Sequence, residues 1–120
     1  MKPSEIIAAD AQKTGVDPNK ALSFVGSAIQ NKTGLLLQKN NSVLLLQAIS
    51  NDSASVHLFT VDQPMTLVKS LKYFVDKINE SDLRAVYGTT ENPKFLDLLV
   101  NFGLKIQESD NPKYNWMALV

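Results

Sequence analysis

Several features on which common protein chemistries depend are missing from this sequence or scarce in it. Its 120 residues include no cysteine and one histidine, so disulfides, thiolate chemistry and a metal site are not expected. Basic and acidic residues number 12 each, which leaves no basic field to attract nucleic acid or an anionic membrane. The chain also lacks an apolar run of transmembrane or signal-peptide length. We therefore expect a cytoplasmic protein that binds neither nucleic acid nor membrane.

The residues that are present have the composition of an ordinary globular domain. Hydrophobic residues make up 44% of the chain and charged residues 20%. A chain of this length can bury roughly two thirds of the surface that its unfolded form exposes. Because the sequence contains no linker, repeat or low-complexity segment, we expect a single domain over residues 1–120.

Two helices are predicted in the first third of the chain. A short helix is expected to begin with Ser4 as its N-cap and to end at Gly15, and a second one to begin with Asp17 as its N-cap and Pro18 at its first position. In the second helix Leu22, Val25 and Ile29 share one face by helical spacing, so we expect this face to be buried.

The middle of the chain changes from helical periodicity to strands and back. Asn40 and Asn41 separate two apolar strands and favour a tight hairpin, and "SVHLFTV" alternates as a third strand. A long helix follows Pro64, with an apolar stripe at Leu67, Val68, Leu71, Phe74, Val75 and Ile78. A strand comes next, in "LRAVYG". The strand, helix and strand from residue 56 to residue 87 should form a right-handed crossover with parallel strands.

The stretch "ENPKFLDLLVNFGLKI" combines helix signals at fixed spacing. Asn92 can cap a helix that starts at Pro93 and ends at Gly103, and this explains both residues without a ligand. Asn92 could equally hydrogen-bond a ligand. Two strands complete the chain, so the predicted order is α-α-β-β-β-α-β-α-β-β.

This order, with the spacing from Asn92 through Phe95, Leu98 and Leu99 to Gly103, resembles the GCN5-related N-acetyltransferase (GNAT) superfamily. The resemblance covers nearly the whole chain, from Ser4 to Val120. It implies an α/β fold with a mixed, twisted sheet and helices on both faces, and with the first strand of the family missing. It also implies a family cofactor, acetyl-CoA or CoA.

Three departures from the family pattern concern the chemistry. Thr66 and Val68 stand where active members have the glycines that let backbone N–H groups approach the cofactor pyrophosphate. Leu99 stands where many members have the tyrosine that protonates the leaving thiolate, and a leucine has no proton to give. The third strand lacks a carboxylate, so His57 is its one titratable side chain that could act as general base.

These departures favour a degenerate, non-catalytic binding or structural module that needs no cofactor and has a protein partner or associates with itself. The "VDQ" segment and the glycine-free loop are similar to small bacteriophage virion proteins of this fold, which implies a location in the host cytoplasm or the virion. The alternative is an active acyl-CoA-dependent N-acyltransferase with an atypical pyrophosphate loop. In that case the resemblance implies His57 as catalytic base and a cofactor-binding set of four residues: Val61, Thr66, Lys69 and Asn92.

Each of these side chains also has a purely structural interpretation. His57 can be a polar residue of a partly exposed strand, and Lys69 lies off the apolar stripe and can belong to a solvated helix face. Tyr114 and Trp116 share one face of the last strand, where they either form an exposed patch for a partner or pack against a helix. Burial is the more common outcome for such a pair.

Overall fold

Each of the four helices among the described residues begins with a proline, at a position whose N–H would have no partner within the helix. The computed structural model describes residues 1–90 and 92–120. In these residues six strands lie between the helices or follow them. The elements are α1 (Pro3–Thr14), α2 (Pro18–Gln30), β1 (Gly34–Lys39), β2 (Ser42–Ala48), β3 (Ser53–Thr60), α3 (Pro64–Glu80), β4 (Ala85–Gly88), α4 (Pro93–Asn101), β5 (Lys105–Glu108) and β6 (Trp116–Leu119). Their order is the one predicted from the sequence.

The helix ends match the predicted signals except at the start of α1, where Lys2 is the N-cap and Ser4 lies inside the helix, because Pro3 already takes the first helical position. The Asp17 side chain accepts a hydrogen bond from the Asn19 N–H at 2.9 Å and caps α2. Gly15 ends α1 in the left-handed region with φ of 80°, a conformation that an L side chain would strain. Among the described helices none is both long and apolar enough to cross a bilayer.

All strands join one mixed sheet in the order β1-β2-β3-β4-β6-β5. Strands β1 and β2 form an antiparallel hairpin at Asn40, which adopts a positive φ of 52° as the turn chemistry predicts. Strand β3 pairs with β4 in parallel, across the crossover helix α3, which confirms the predicted βαβ unit.

The sheet separates two apolar clusters, and neighbouring residues of β2 point into different ones. Val43 and Leu45 pack with residues of α1 and α2, whereas Leu44 packs with α3, α4 and the later strands. Helices therefore cover both faces of the sheet, as the α/β prediction requires.

The buried face of α2 differs from the predicted one. Ala21, Val25 and Ala28 are buried, whereas Ile29 is 42% exposed. The reason is close packing: a Cβ added to Gly34 at the start of β1 would lie 2.8 Å from the Cβ of Ala28. Only small residues let the helix approach the strand this closely, so the predicted face is confirmed at Val25 and, partly buried, at Leu22, and is wrong at Ile29.

Candidate functional site

The sheet splits between β3 and β4. Parallel pairing covers three residue pairs, from Ser53 with Ala85 to Ser55 with Tyr87. Beyond the pair Ser55–Tyr87, strand β3 continues to Thr60, whereas β4 ends at the residue after Tyr87, which is Gly88. The two strands therefore diverge, and the second half of β3 has no β4 partner within the described part of the chain.

A cavity of about 350 Å³ occupies this gap. Val56 and Leu58 of β3 line one side, and Leu99 of α4 and Trp116 of β6 line the other. Most of the lining is apolar, and Thr89, Thr90 and Asn92 add polar groups beyond the end of β4. Phe59 and Leu99 lie in the wall of the cleft and leave it open.

His57 lies in this wall, as the alternative prediction required of a base. Its ring meets the edge of the Phe24 ring of α2, with centroids 5.2 Å apart and planes at 77°. Partial burial of the imidazole disfavours its charged form and lowers the pKa of His57 below its usual value of 6.5. At neutral pH the ring is therefore uncharged.

Asn92 lies in the wall of the cleft and also caps α4. Its side-chain oxygen accepts a hydrogen bond from the Lys94 N–H at 3.1 Å, which confirms the predicted N-cap. The side-chain NH₂ of Asn92 donates to no described residue. One residue can thus hold the helix start and still offer a donor to a ligand.

The other three predicted cofactor contacts are Val61, Thr66 and Lys69. They lie in the loop between β3 and α3 or in the first turns of α3, and they are not among the described residues that line the cavity. The Val61 N–H donates to the Asn41 carbonyl at 3.0 Å, the Thr66 carbonyl lies 3.2 Å from the Ser70 hydroxyl, and Lys69 is exposed. They remain predictions for a ligand that extends past the cleft.

Asp62 fixes this loop to the β1–β2 hairpin. Its carboxylate accepts hydrogen bonds from the Asn41 N–H at 3.0 Å, the Ser42 hydroxyl at 2.5 Å and the Ser70 hydroxyl at 2.9 Å. Ser42 and Ser70 are both fully buried. Three donors to one carboxylate hold the start of α3 in place.

The start of α3 offers few backbone donors to an anion. Pro64 has no N–H, and the Leu67 N–H already donates to the Gln63 carbonyl at 2.8 Å. Within the first turn this leaves the N–H groups of Met65 and Thr66 at the positive end of the helix. The loop is therefore a partial cradle, as the missing glycines predicted.

Sequence reasoning did not assign Trp116 to this site. Trp116 is 3% exposed, so the predicted burial holds and the exposed aromatic patch is wrong. Its indole Nε1 is buried and has no hydrogen-bond partner in the described structure. Strand β6 pairs Trp116 with Gly88, and this register was not visible in the sequence.

No group of three or more histidine and acidic side chains among the described residues could hold a metal ion. The cleft itself is an apolar slot whose described lining residues include one imidazole, two threonine hydroxyls, an asparagine amide and an indole. This set suits a slender, uncharged ligand segment that carries a few polar groups.

No protein-family model and no curated protein matches the sequence. Solved structures do match the fold. The N-acetyltransferase PseH from Campylobacter jejuni, in complex with acetyl coenzyme A, is similar with a TM-score of 0.61 at 16% identity, over 100% of this chain and 92% of that one. The ribosomal-protein-S18-alanine N-acetyltransferase from Escherichia coli gives 0.55 at 14%, over 99% and 86%. The microcin C7 self-immunity acetyltransferase MccE, in complex with acetyl-CoA and AMP, gives 0.51 at 12%, over 86% and 69%.

These similarities confirm that the fold is that of the GNAT acetyltransferases. They also correct the leading functional prediction. A non-catalytic module is wrong, because the similar structures are acetyltransferases and because the gap between β3 and β4 is open. The departures at Thr66, Val68 and Leu99 concern the phosphate loop and one wall residue, and they do not fill the cleft.

Proposed function

We propose that this protein is an acyl-CoA-dependent N-acyltransferase whose cleft between β3 and β4 holds the acyl-pantetheine arm. The observation that carries the proposal is the open, apolar cavity of about 350 Å³ at the point where the two strands diverge. Cavities of roughly 300 to 1,000 Å³ are the size that small-molecule ligands use. The similarity to acetyltransferases that bind acetyl-CoA supports the choice of ligand.

The residues present fit the arm better than they fit the pyrophosphate. A pantetheine arm alternates short alkyl segments with amides, and the second half of β3 has a backbone edge that no β4 residue covers among those described. The Asn92 NH₂ adds a side-chain donor at the cleft wall. When bound, the cofactor supplies the activated acyl thioester.

The start of α3 would receive the phosphates. The N–H groups of Met65 and Thr66 point from the positive end of the helix, and Lys69 supplies an exposed cation one turn further on. These donors are fewer than a glycine loop provides. We therefore expect the affinity to depend on the arm more than on the phosphates.

His57 is the residue proposed to handle the proton. Because burial keeps its imidazole neutral, His57 can take a proton from an ammonium substrate and leave the amine nitrogen nucleophilic. Leu99 can give no proton to the leaving sulfur. Among the described residues that line the cavity, Thr89 and Thr90 are the ones with hydroxyl groups.

Calorimetric titration with acetyl-CoA tests the proposal. We expect saturable binding at micromolar ligand to the wild-type chain, and loss of that binding in Leu58→Trp, which places an indole in the cleft. Leu35→Trp makes the same change on β1, where Leu35 is 58% exposed and outside the cavity, so it should bind as the wild type does.

Either of two results would contradict the proposal. Absence of acetyl-CoA and CoA binding in the wild type would refute the proposal. Equal binding by Leu58→Trp and Leu35→Trp would place the ligand outside the cleft and refute it as well. Circular dichroism melting of both variants checks that each is folded.

Other expectations from the sequence remain predictions. A protein partner or self-association, and the absence of nucleic-acid and membrane binding, are testable by sedimentation and binding assays on the purified chain. The expected bacteriophage or virion origin gains no support from the similar structures.

A further inference from the structure

Two cavities meet at Trp116. Besides the cleft, a surface groove of about 700 Å³ runs along Leu96 of α4 and the turn between β5 and β6. Thr90 and Trp116 are the residues that line both. The indole of Trp116 therefore stands as a wall between the cleft and the groove.

The indole is held in this place by Gly88. The two residues are paired across β4 and β6, and a Cβ added to Gly88 would lie 2.2 Å from Cζ2 of the indole. A side chain at position 88 would thus displace the ring. The fit of a tryptophan over a glycine makes the wall tight and leaves Trp116 only 3% exposed.

This wall lies at the deep end of the cleft. The parallel pairing of β3 and β4 stops at Tyr87, so the residue next along β4, Gly88, marks where the gap begins. In a bound acyl-CoA the charged nucleotide must stay near water, because burying its phosphates without partners is costly. The acyl group at the other end of the arm then reaches the deep end first.

From this arrangement we infer that Trp116 closes the deep end of the cleft and restricts the acyl donor to short chains such as acetyl, an inference that rests on the proposed function. A longer acyl chain would have to displace a fully packed indole. The Nε1–H of Trp116 is buried and lacks an acceptor in the described structure, so within this inference the acyl carbonyl would become its acceptor.

Calorimetry with acetyl-CoA and hexanoyl-CoA tests the inference. The wild type should bind acetyl-CoA about tenfold more tightly than hexanoyl-CoA, because forcing methylenes into a packed wall is unfavourable. Trp116→Ala and the milder Trp116→Leu open a path into the groove. In both variants the preference should reverse, by up to about fourfold for each added methylene that becomes buried.

Trp116→Phe distinguishes the steric effect of the ring at position 116 from the effect of the indole N–H as a hydrogen-bond donor. It keeps a flat ring at position 116, so the preference for the short chain should remain, while loss of the N–H should weaken acetyl-CoA binding by about tenfold. Tyr73→Leu, a change of a half-buried aromatic that lines neither cavity, should leave the affinity and the preference as they are.

A readout on the unaltered chain keeps the inference testable even if Trp116→Ala does not fold. Trp116 is the only tryptophan, so its emission should change on titration with acetyl-CoA, with the same midpoint as the calorimetric curve. Unchanged emission at saturation would overturn the inference, and so would equal affinity of the wild type for both chain lengths.

The two proposals fail in different ways. If the wild type binds no acyl-CoA of either length, the proposed function is wrong and the inference about Trp116 falls with it. If the wild type binds both lengths equally well, or if Trp116→Leu keeps the wild-type preference, the proposed function stands and only the role of Trp116 is wrong. An unchanged acetyl-CoA affinity in Trp116→Phe would remove the indole N–H as the carbonyl donor.

Discussion

At the scale of single residues, Asp62 shows how this chain positions the loop before α3 without glycines. A carboxylate that is partly buried needs donors to offset the water it loses. Asp62 finds them in a backbone N–H and two serine hydroxyls, and Thr60 extends the network through its own hydroxyl, 2.6 Å from that of Ser42. The loop is thus ordered by side-chain acceptors, which sequence patterns for phosphate loops do not represent.

Replacing Asp62 with alanine should lower the free energy of unfolding by about 2 to 3 kcal/mol, because the change leaves buried serine hydroxyls short of their acceptor. Urea denaturation measures the loss. Asp76→Ala is the matched control: Asp76 is exposed and pairs with Lys72 at 3.1 Å, so it should cost less than about 0.5 kcal/mol. Equal losses in the two variants would show that the Asp62 network does not hold the fold.

At the scale of elements, α4 links helix capping to the cleft. The helix has nine residues, so it is too short to be stable by itself and depends on its cap and its packing. Asn92 supplies the cap and Leu99 the buried contact, and both line the cavity. Stability of this helix and the shape of the cleft wall are therefore coupled.

Asn92→Ala should destabilise the protein by about 1 kcal/mol, since the Lys94 N–H loses its acceptor. Asn92→Asp should keep the stability, because a carboxylate caps as well and suits the positive helix end. Asn101→Ala, the same change at the last residue of α4, should be within about 0.5 kcal/mol of wild type. Thermal melts compare the three; no loss in Asn92→Ala would contradict the cap.

Much of the element order could be predicted because the signals are local. Prolines 18, 64 and 93 mark helix starts, and Asn40 marks the hairpin. Helix faces were harder: Val68 fits the apolar stripe by spacing, but it is 37% exposed. The buried face depends on how closely a helix approaches the sheet, and that distance is set by residues far away in sequence, as Gly34 sets it for α2.

The candidate site could be predicted only in part, for a related reason. The family resemblance implied roles for His57 and Asn92, and both line the cleft. The cleft itself depends on where the pairing of β3 and β4 ends and on the register that sets Trp116 over Gly88. Both are properties of strand pairs, and a single sequence does not specify them. Leu99 lines this cleft as an apolar wall residue, and the prediction that it cannot replace the proton-donating tyrosine stays a prediction.

At the scale of the whole molecule, one sheet carries a core cluster on each face. Strand β2 contributes Leu44 to one cluster and Val43 and Leu45 to the other, so the two should melt together. The formal net charge is +0, which leaves little overall repulsion to shape the stability profile. Individual groups whose pKa is shifted in the folded state should therefore dominate the change of stability with pH.

His57 sets the expected response between about pH 8 and pH 5.5. Its pKa is lowered in the folded state by burial, so the unfolded chain takes up more protons as the pH falls through 6.5, and the free energy of unfolding should decrease. Burial raises the pKa of Asp10, so Asp10 acts in the opposite direction: acid removes an unfavourable buried charge, starting from a lower pH. The melting temperature should thus fall on mild acidification, before Asp10 opposes the trend.

Comparison with His57→Gln isolates the histidine, because Asp10 contributes equally to both chains. The variant keeps a polar side chain that cannot be charged, so its melting temperature should vary less over this range than that of the wild type. Acetyl-CoA at saturation should steepen the wild-type profile further if it covers the imidazole, because a covered ring is harder to protonate. Parallel profiles for wild type and His57→Gln would mean that His57 is as accessible when folded as when unfolded, and that burial does not lower its pKa.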